Sequence, residues 1–345
     1  MREAARRARP DFPWLAVDDL PGLRRYLAGT GWLEAGEAVL RCERAGEGNM
    51  NLTLRVATDR RSLVLKQARP WVEKYPEIAA PWDRSRFEQR FYARVASIPG
   101  VASRMPQLLG SDERGATLLL EDLGAARDCS SVYAGGETLP EREVDELAAY
   151  LRALHDASEG APDPALANRD MRALNAEHLF RVPLDASAAP DPEPFEPGLT
   201  GAAGALRADP ALRSAFAELE ERYRAPGPCL LHGDYFPGSW LRTGAGVRVI
   251  DPEFGFQGEP AIDVGCAVAH LALGRQSVEL CWRFLAAYGR ALDVPLLAGF
   301  AAVEVVRRLL GVAQLPIPPS RGWRAQLLER ARSALREGRV EPFFT

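Results

Sequence analysis

Polar and apolar residues alternate over much of the first third of the chain, whereas beyond Gly124 apolar residues recur at helical spacing. Alternation is the mark of a half-buried strand, and recurrence every three to four residues that of an amphipathic helix. Residues 37–67 hold three strand-like runs: Val39-Leu40-Arg41-Cys42, Leu52-Thr53-Leu54-Arg55-Val56 and Leu63-Val64-Leu65-Lys66. A Gly-containing loop and a turn at Asp59-Arg60-Arg61 separate them, which predicts a β-meander. Residues 107–122 alternate again, a predicted hairpin that ends in Thr117-Leu118-Leu119-Leu120 before Glu121-Asp122-Leu123-Gly124. Two helices are expected around these strands. One, over residues 14–36, carries a second short turn and ends near Gly36. The other, over residues 82–97, has Asp83 to cap its start and Phe87, Phe91, Tyr92 and Val95 on one face.

The remainder reads mainly as helix. Residues 140–156 place Val144, Leu147, Tyr150, Leu151 and Leu154 on one face, residues 201–224 continue the pattern, and it resumes from residue 261 with breaks at Pro295 and at Pro316–Pro319. Residues 186–198, rich in Pro, Ala and Asp, form a loop. Residues 228–250 hold two short strands around His232-Gly233-Asp234. Strands first and helices after predict an α+β chain in two lobes: a small antiparallel-sheet N-lobe over residues 1–123 and a larger, mainly helical C-lobe over residues 124–345, joined near residues 121–125.

Composition narrows the function. The 345 residues exceed what one hydrophobic core usually supports. A net charge of −4 offers no basic field for nucleic acid or an anionic membrane surface, and no apolar run is long enough to span a bilayer. The Arg-rich start, MREAARRARP, has no apolar stretch behind it and reads as a helix or tail rather than a secretory signal. Glu3 and Asp11 interrupt any transit-peptide pattern. The five cysteines are scattered, with no CxxC pair, as expected in a reducing, cytoplasmic compartment. Four histidines are too few for a His-rich metal centre. Of the 43 basic residues, only Lys66 and Lys74 are lysines. Arg is used wherever a generic positive charge suffices, so Lys66, inside an apolar strand, requires a specific explanation.

Four places carry candidate chemistry. Asp234 follows a glycine that permits a sharp turn out of a strand, and a carboxylate so presented can orient a hydroxyl and take its proton. Asp251 ends the apolar run Val247–Ile250, and Glu253 lies two residues on, pointing the same way if the segment is extended. Two hard oxygen ligands flanking the stiff Pro252 suit magnesium. A carboxylate facing an acceptor hydroxyl, followed by a metal-holding acidic pair, is the layout of a phosphoryl-transfer site. Lys66 needs an anion: nucleotide phosphates supply one, and Glu88, Glu73 or Glu77 can hold the ammonium in place. The loop Gly46-Glu47-Gly48-Asn49-Met50-Asn51 precedes Lys66 and can bring backbone amides to phosphate oxygens, although taken alone it reads as a β-turn. Backbone groups at Glu121 and Leu123 can meet an adenine edge. Asp263 is expected to cap a helix near Val264 and tie down the turn at Asp234. His232 reads as a scaffold residue, and His155, His178 and His270 as packing or surface residues. Spacing alone leaves Arg307-Arg308 on the wet edge of an amphipathic helix.

These residues resemble the aminoglycoside phosphotransferase and choline kinase superfamily, most closely the 5-methylthioribose kinases. The loop GEGNMNL, the strand LVLKQARPWV and the acidic segment VIDPEFGFQGEPAIDVG carry the likeness, which extends over roughly residues 36–315. Ser239 stands where the wider group has a metal-binding Asn and the methylthioribose kinases have Ser. The resemblance implies a bilobal protein-kinase-like fold with nucleotide between the lobes, ATP and Mg2+ as cofactors, and metal ligation by Asp251 and Glu253. It also implies that Arg307 and Arg308, in an R-R-x-x-G-x-A pattern, contact a sugar. The family's second histidine is absent, since Tyr235, Phe236 and Pro237 follow Asp234. Trp240 and Trp282 are the candidates for the family's substrate-covering tryptophan.

The leading expectation is therefore transfer of the ATP γ-phosphate to a hydroxyl of a small metabolite, with 5-methylthioribose or a related sugar first. Asp234 is the catalytic residue, Asp251 and Glu253 hold metal, and Gly46, Gly48, Asn49, Asn51, Lys66, Glu88, Glu121 and Leu123 bind nucleotide. Asp234, Arg307 and Arg308 grip the acceptor. An aminoglycoside or amino-alcohol acceptor is the alternative, disfavoured by the two arginines. A nucleotide-binding pseudokinase is a further one, opposed by the intact Lys66, Asp234 and Asp251. The expected partner is a small molecule, not nucleic acid or membrane, and a homodimer is compatible with the sequence.

Overall fold

The computed structural model describes residues 2–46 and 50–345. The chain divides into two compact units, Met1–Ala126 and Arg127–Thr345. In the first, helix α1 (Arg2–Ala8) and helix α2 (Leu20–Gly29) precede strands β1 (Val39–Arg44), β2 (Leu52–Thr58) and β3 (Ser62–Gln67). Helices α3 (Arg84–Val95) and α4 (Pro99–Ala102) follow, then β4 (Leu108–Asp112) and β5 (Thr117–Glu121). The five strands form one sheet in the order β1-β2-β3-β5-β4, with every neighbouring pair antiparallel. Leu52, Leu54 and Val56 of β2 and Leu63 and Leu65 of β3 bury with Leu15, Leu23 and Leu27. Side chains alternate across a strand, so Lys66, next to Leu65, faces the other side of the sheet. There α3 buries Phe87, Glu88, Phe91, Tyr92 and Val95.

Two helix boundaries differ from the sequence reading. The helix expected over 14–36 is only Leu20–Gly29. Asp19 Oδ1 accepts from Gly22 N at 2.8 Å, Pro21 sits in its first turn, and Gly31 at φ 71° lies just past its end. The residues before it are held out of a helix because Leu15 N donates to the Gln67 side chain at 3.2 Å. Asp83 precedes α3 as expected, but its side chain makes no capping hydrogen bond.

The second unit adds β6 (Arg127–Asp128) and α5 (Glu141–Ser158), then α6 (Arg169–Ala176), α7 (Leu199–Arg207) and α8 (Pro210–Arg224). Next come β7 (Cys229–Leu231), β8 (Trp240–Thr243), β9 (Gly246–Val249) and β10 (Phe256–Gly258). Helices α9 (Ala261–Leu273), α10 (Val278–Tyr288), α11 (Val294–Leu310) and α12 (Trp323–Glu337) complete it. The expected helix over 201–224 is two helices, because the Asp209 side chain caps a new start at Pro210. Pro295 opens α11 rather than breaking a helix, with Asp293 as its cap. Every residue of α9 is buried, and α11 buries an unbroken run from Leu297 to Leu310 that includes Glu304, Arg307 and Arg308. A five-stranded antiparallel sheet followed by a mainly helical unit is the α+β architecture read from the sequence.

Candidate active site

In the first unit Lys66 is 4% exposed, and its Nζ lies 2.8 Å from Glu88 Oε2 and 3.0 Å from Oε1. Of the three acidic candidates Glu88 is the partner the fold supplies. Glu73 instead accepts from Arg69 and from Trp71 Nε1, and Glu77 is exposed. Gly46 has φ 70°, with no neighbour among the described residues where a Cβ would stand, whereas Gly48 and Asn49 lie outside the described residues. Asn51 is buried and its Oδ1 accepts from Arg84 Nε at 2.8 Å. Arg84 also donates to Met50 O at 3.0 Å and Arg69 O at 2.6 Å, so one buried guanidinium clamps the end of this loop to α3. The sequence reading missed Arg84, since nothing in its spacing separates it from the surrounding arginines. Glu121 closes β5, with its N donating to Gln107 O at 2.9 Å, and Leu123 follows it.

In the second unit β7 leads directly into His232-Gly233-Asp234. Gly233 has φ 83°, and a Cβ there would overlap the Phe254 carbonyl. Asp263 accepts from His232 N at 2.6 Å and Gly233 N at 2.9 Å. It lies inside α9 and so does not cap it; of its two expected roles, its bonds fulfil the tying down of the turn at Asp234. His155 is not incidental: its Nε2 is 3.3 Å from Asp263 Oδ2 and its Nδ1 2.8 Å from the Tyr288 hydroxyl. His232 Nε2 donates to Ile250 O at 2.9 Å, which binds the turn to the segment leading to Asp251. Tyr235, stacked on Tyr150, donates its hydroxyl to Leu147 O at 2.9 Å.

So held, Asp234 meets α11. Its Oδ1 accepts from Arg308 Nη2 at 3.0 Å and Arg307 Nη1 at 3.3 Å, and its side chain is 14% exposed. Its Oδ2 has no partner among the described residues. The wet-edge position that spacing alone allowed for the arginine pair is overturned: both are buried, one turn after Glu304.

Asp251 and Glu253 are arranged differently from the extended pair expected. Asp251 sits in the left-handed region, φ 62° and ψ 55°, and Pro252–Phe254 form a 3-10 turn. Strand alternation therefore does not aim the two carboxylates. A turn does, and it is braced by Asn168, whose Nδ2 donates to Glu253 O at 2.9 Å and Gly255 O at 2.8 Å. Two carboxylates two residues apart on a rigid turn remain a hard-oxygen donor set that fits a magnesium ion. Ser239 is buried, and its Oγ donates to Asp234 O at 3.3 Å.

The family model described as "Phosphotransferase enzyme family" matches residues 41–303. The chain belongs to the phosphotransferase enzyme family. It is a small-molecule phosphotransferase. The methylthioribose kinase of Exiguobacterium sibiricum is 28% identical over 354 residues, covering 88% of this chain and 88% of that protein. The methylthioribose kinase of Bacillus cereus is 23% identical over 335 residues, covering 84% of each. Among solved structures, the choline kinase LicA from Streptococcus pneumoniae superposes with a TM-score of 0.53 at 13% identity, over 93% of this chain and 100% of that one. The gentamicin complex of APH(2")-IIa superposes with a TM-score of 0.52 at 15% identity, over 96% and 100%. These structural likenesses establish a shared fold.

The phosphotransferase also holds residues near Asp234 that the sequence reading passed over. Glu304 Oε1 accepts from Arg308 Nε at 2.6 Å, and its Oε2 accepts from Arg307 Nη1 at 3.0 Å. Burial opposes the Glu304 charge, but Arg307 and Arg308 outweigh it and hold the carboxyl well below the usual range. Burial likewise opposes the charge of Arg308, yet Glu304 and Asp234 hold its pKa above the ordinary value. His270, expected to be incidental, has Nε2 3.0 Å from Glu304 Oε1 and Nδ1 2.7 Å from the Tyr133 hydroxyl. Burial pulls its pKa down to about 4. Phe236 lies under the Arg308 guanidinium, 4.6 Å from carbon to ring centroid. Glu304 had a legible signal, the i, i+3 and i, i+4 spacing to Arg307 and Arg308. His270 and Tyr133 had none. Of the two tryptophan candidates, Trp240 is buried against Tyr235 and Trp282 is exposed on α10.

Proposed function

We propose that this phosphotransferase moves the γ-phosphate of ATP to a hydroxyl of a small neutral polyol, with 5-methylthioribose the first acceptor to test. The observation that carries the reading is the contact of the Asp234 carboxylate with two buried guanidiniums on α11. Asp234 orients the acceptor hydroxyl through its unpartnered oxygen and takes the proton as the new bond to phosphorus forms. Arg307 and Arg308 donate to neighbouring hydroxyls of the acceptor. Lys66, steadied by Glu88, neutralises phosphate charge, and the loop from Gly46 to Asn51 adds backbone donors; Glu121 and Leu123 line the adenine edge. Asp251 and Glu253 would hold magnesium, which supplies charge neutralisation on the phosphates when bound. The 23–28% identity to methylthioribose kinases over most of the chain supports the sugar acceptor. A polycationic aminoglycoside ranks below as an acceptor, because the curated relatives reported above are methylthioribose kinases.

The test is an ADP-release assay with ATP and magnesium over a panel of 5-methylthioribose, D-ribose, choline and an aminoglycoside. The expected result is turnover with the sugars, abolished in Asp234→Ala, while ATP affinity measured by titration calorimetry stays within about two-fold. Tight ATP binding without transfer to any panel member would favour a pseudokinase, and near-normal turnover by Asp234→Ala would remove that residue from its role.

A further inference from the structure

Arg307 and Arg308 touch Asp234, yet neither guanidinium is spent on it. Arg308 bridges two carboxylates, giving Nε to Glu304 and Nη2 to Asp234. Arg307 Nη1 is shared between the same two groups. Both arginines contact only one oxygen of Asp234, which leaves its Oδ2 without a partner among the described residues. With His270 neutral, the cluster holds two carboxylates and two guanidiniums and is charge-balanced in a buried setting, where an uncompensated charge is costly.

We propose that Glu304 is a positioning residue for the acceptor: by competing for Arg307 and Arg308, it keeps both guanidiniums turned so that Asp234 retains a free oxygen for the hydroxyl. The proposal rests on the reading that Asp234, Arg307 and Arg308 hold the acceptor. Without the Glu304 charge, two guanidiniums face one carboxylate, and the favourable response is a bidentate pair that occupies both Asp234 oxygens. The acceptor hydroxyl then has to displace an ion pair.

His270 orients Glu304 in turn. An ionised Glu304 only accepts, so His270 Nε2 carries the hydrogen and its Nδ1 accepts from the Tyr133 hydroxyl. This donor keeps Glu304 Oε1 on the side from which it reaches Arg308. Cys266, His270 and Glu304 also bring ligand-type atoms within 4.8 Å of one another. Both Glu304 oxygens already accept from guanidiniums and both His270 nitrogens are engaged, so a metal ion there would enter against two adjacent positive charges. His270 and Glu304 instead connect Tyr133, through the guanidiniums of Arg308 and Arg307, to Asp234.

The experiment compares wild type, Glu304→Gln, His270→Gln, His270→Phe and Asp234→Ala. The acceptor is whichever of 5-methylthioribose, D-ribose and choline has the highest kcat/KM for the wild type. Glu304→Gln is expected to raise the acceptor KM at least about ten-fold while the KM for ATP moves by less than about two-fold. His270→Gln, whose amide replaces the Nε2 donor, is expected to keep the acceptor KM near wild type, whereas His270→Phe raises it several-fold. An acceptor KM for Glu304→Gln within about two-fold of wild type, with Asp234→Ala inactive, overturns the positioning role and leaves the reading of Asp234 intact. Should Glu304→Gln fail to fold, equal acceptor KM values for His270→Gln and His270→Phe overturn it equally. Turnover by Asp234→Ala defeats the underlying reading, and this inference with it.

Discussion

Gly233 decides where Asp234 points. Its φ of 83° lies in the region that favours glycine, and Phe254 O occupies the space a Cβ would need. Backbone strain and overlap act together, so Gly233→Ala is expected to cost at least about 2 kcal/mol of stability. The same change swings the Asp234 carboxylate away from Arg307 and Arg308. A thermal melt and the acceptor kcat/KM of this variant check both effects; an unshifted melting temperature with full activity would contradict the account. Asp263 limits the damage only partly, because its two oxygens fix His232 N and Gly233 N in one geometry.

At the scale of elements, the site depends on α9 lying close against α11. Gly265 makes that approach possible: a Cβ there would stand 2.9 Å from Leu297 O, 3.0 Å from Phe300 Cβ and 3.1 Å from Ala301 N. Two of these neighbours are backbone atoms, which cannot rotate away. Helix α9 carries Asp263 and His270, and α11 carries Glu304, Arg307 and Arg308, so the crossing sets the spacing of the whole charge cluster. Gly265→Ala is expected to destabilise by about 1–3 kcal/mol through overpacking. It should also lower kcat/KM for the acceptor more than it alters the KM for ATP. Denaturant unfolding alongside steady-state kinetics separates these outcomes.

For the whole molecule, the buried cluster gives a pH dependence whose sign follows from His270. Its folded pKa is about 4 against an ordinary 6.5, so between those values the unfolded chain binds the proton and the folded one does not. The contribution is complete above pH 6.5 and is lost as pH falls toward 4, on the order of 3 kcal/mol in all. Tyr133, Glu304, Arg308, Asp234, Cys266 and Phe236 are the groups around this imidazole. Glu304, held well below its ordinary 4.5, adds a loss only at lower pH, so within the cluster the window between 6.5 and 4.5 belongs to His270; outside it His178, lowered by burial and by Arg307, adds a loss of the same sign, which wild type and His270→Gln share. Melting temperatures across that window should fall more steeply in wild type than in His270→Gln; parallel curves would refute the assignment. Among the described residues no helix is long and apolar enough to cross a membrane.

Much of the fold was legible because its signals are local. The alternation in Leu52–Val56 and Leu63–Lys66, the periodicity of residues 140–156 and the Gly-Asp turn at 233–234 each specify their own backbone. Helix ends were less legible where one hydrogen bond overrides periodicity, as at Asp19 and Asp209. Glu88 was one of three acidic residues open to Lys66, and only the packing of α3 on the sheet selected it.

The chain by itself determined the α+β order, the carriers of candidate phosphoryl-transfer chemistry and, through Lys66 in an apolar strand, a buried cation in want of an anion. Tertiary structure alone decided that Arg307 and Arg308 turn inward onto Asp234 and that His270 joins Tyr133 to Glu304. The reason is electrostatic. A charged side chain can be buried only where opposite charges and hydrogen bonds meet it, and Asp234 and Arg308 stand 74 residues apart along the chain, brought together by helix packing that no local pattern encodes.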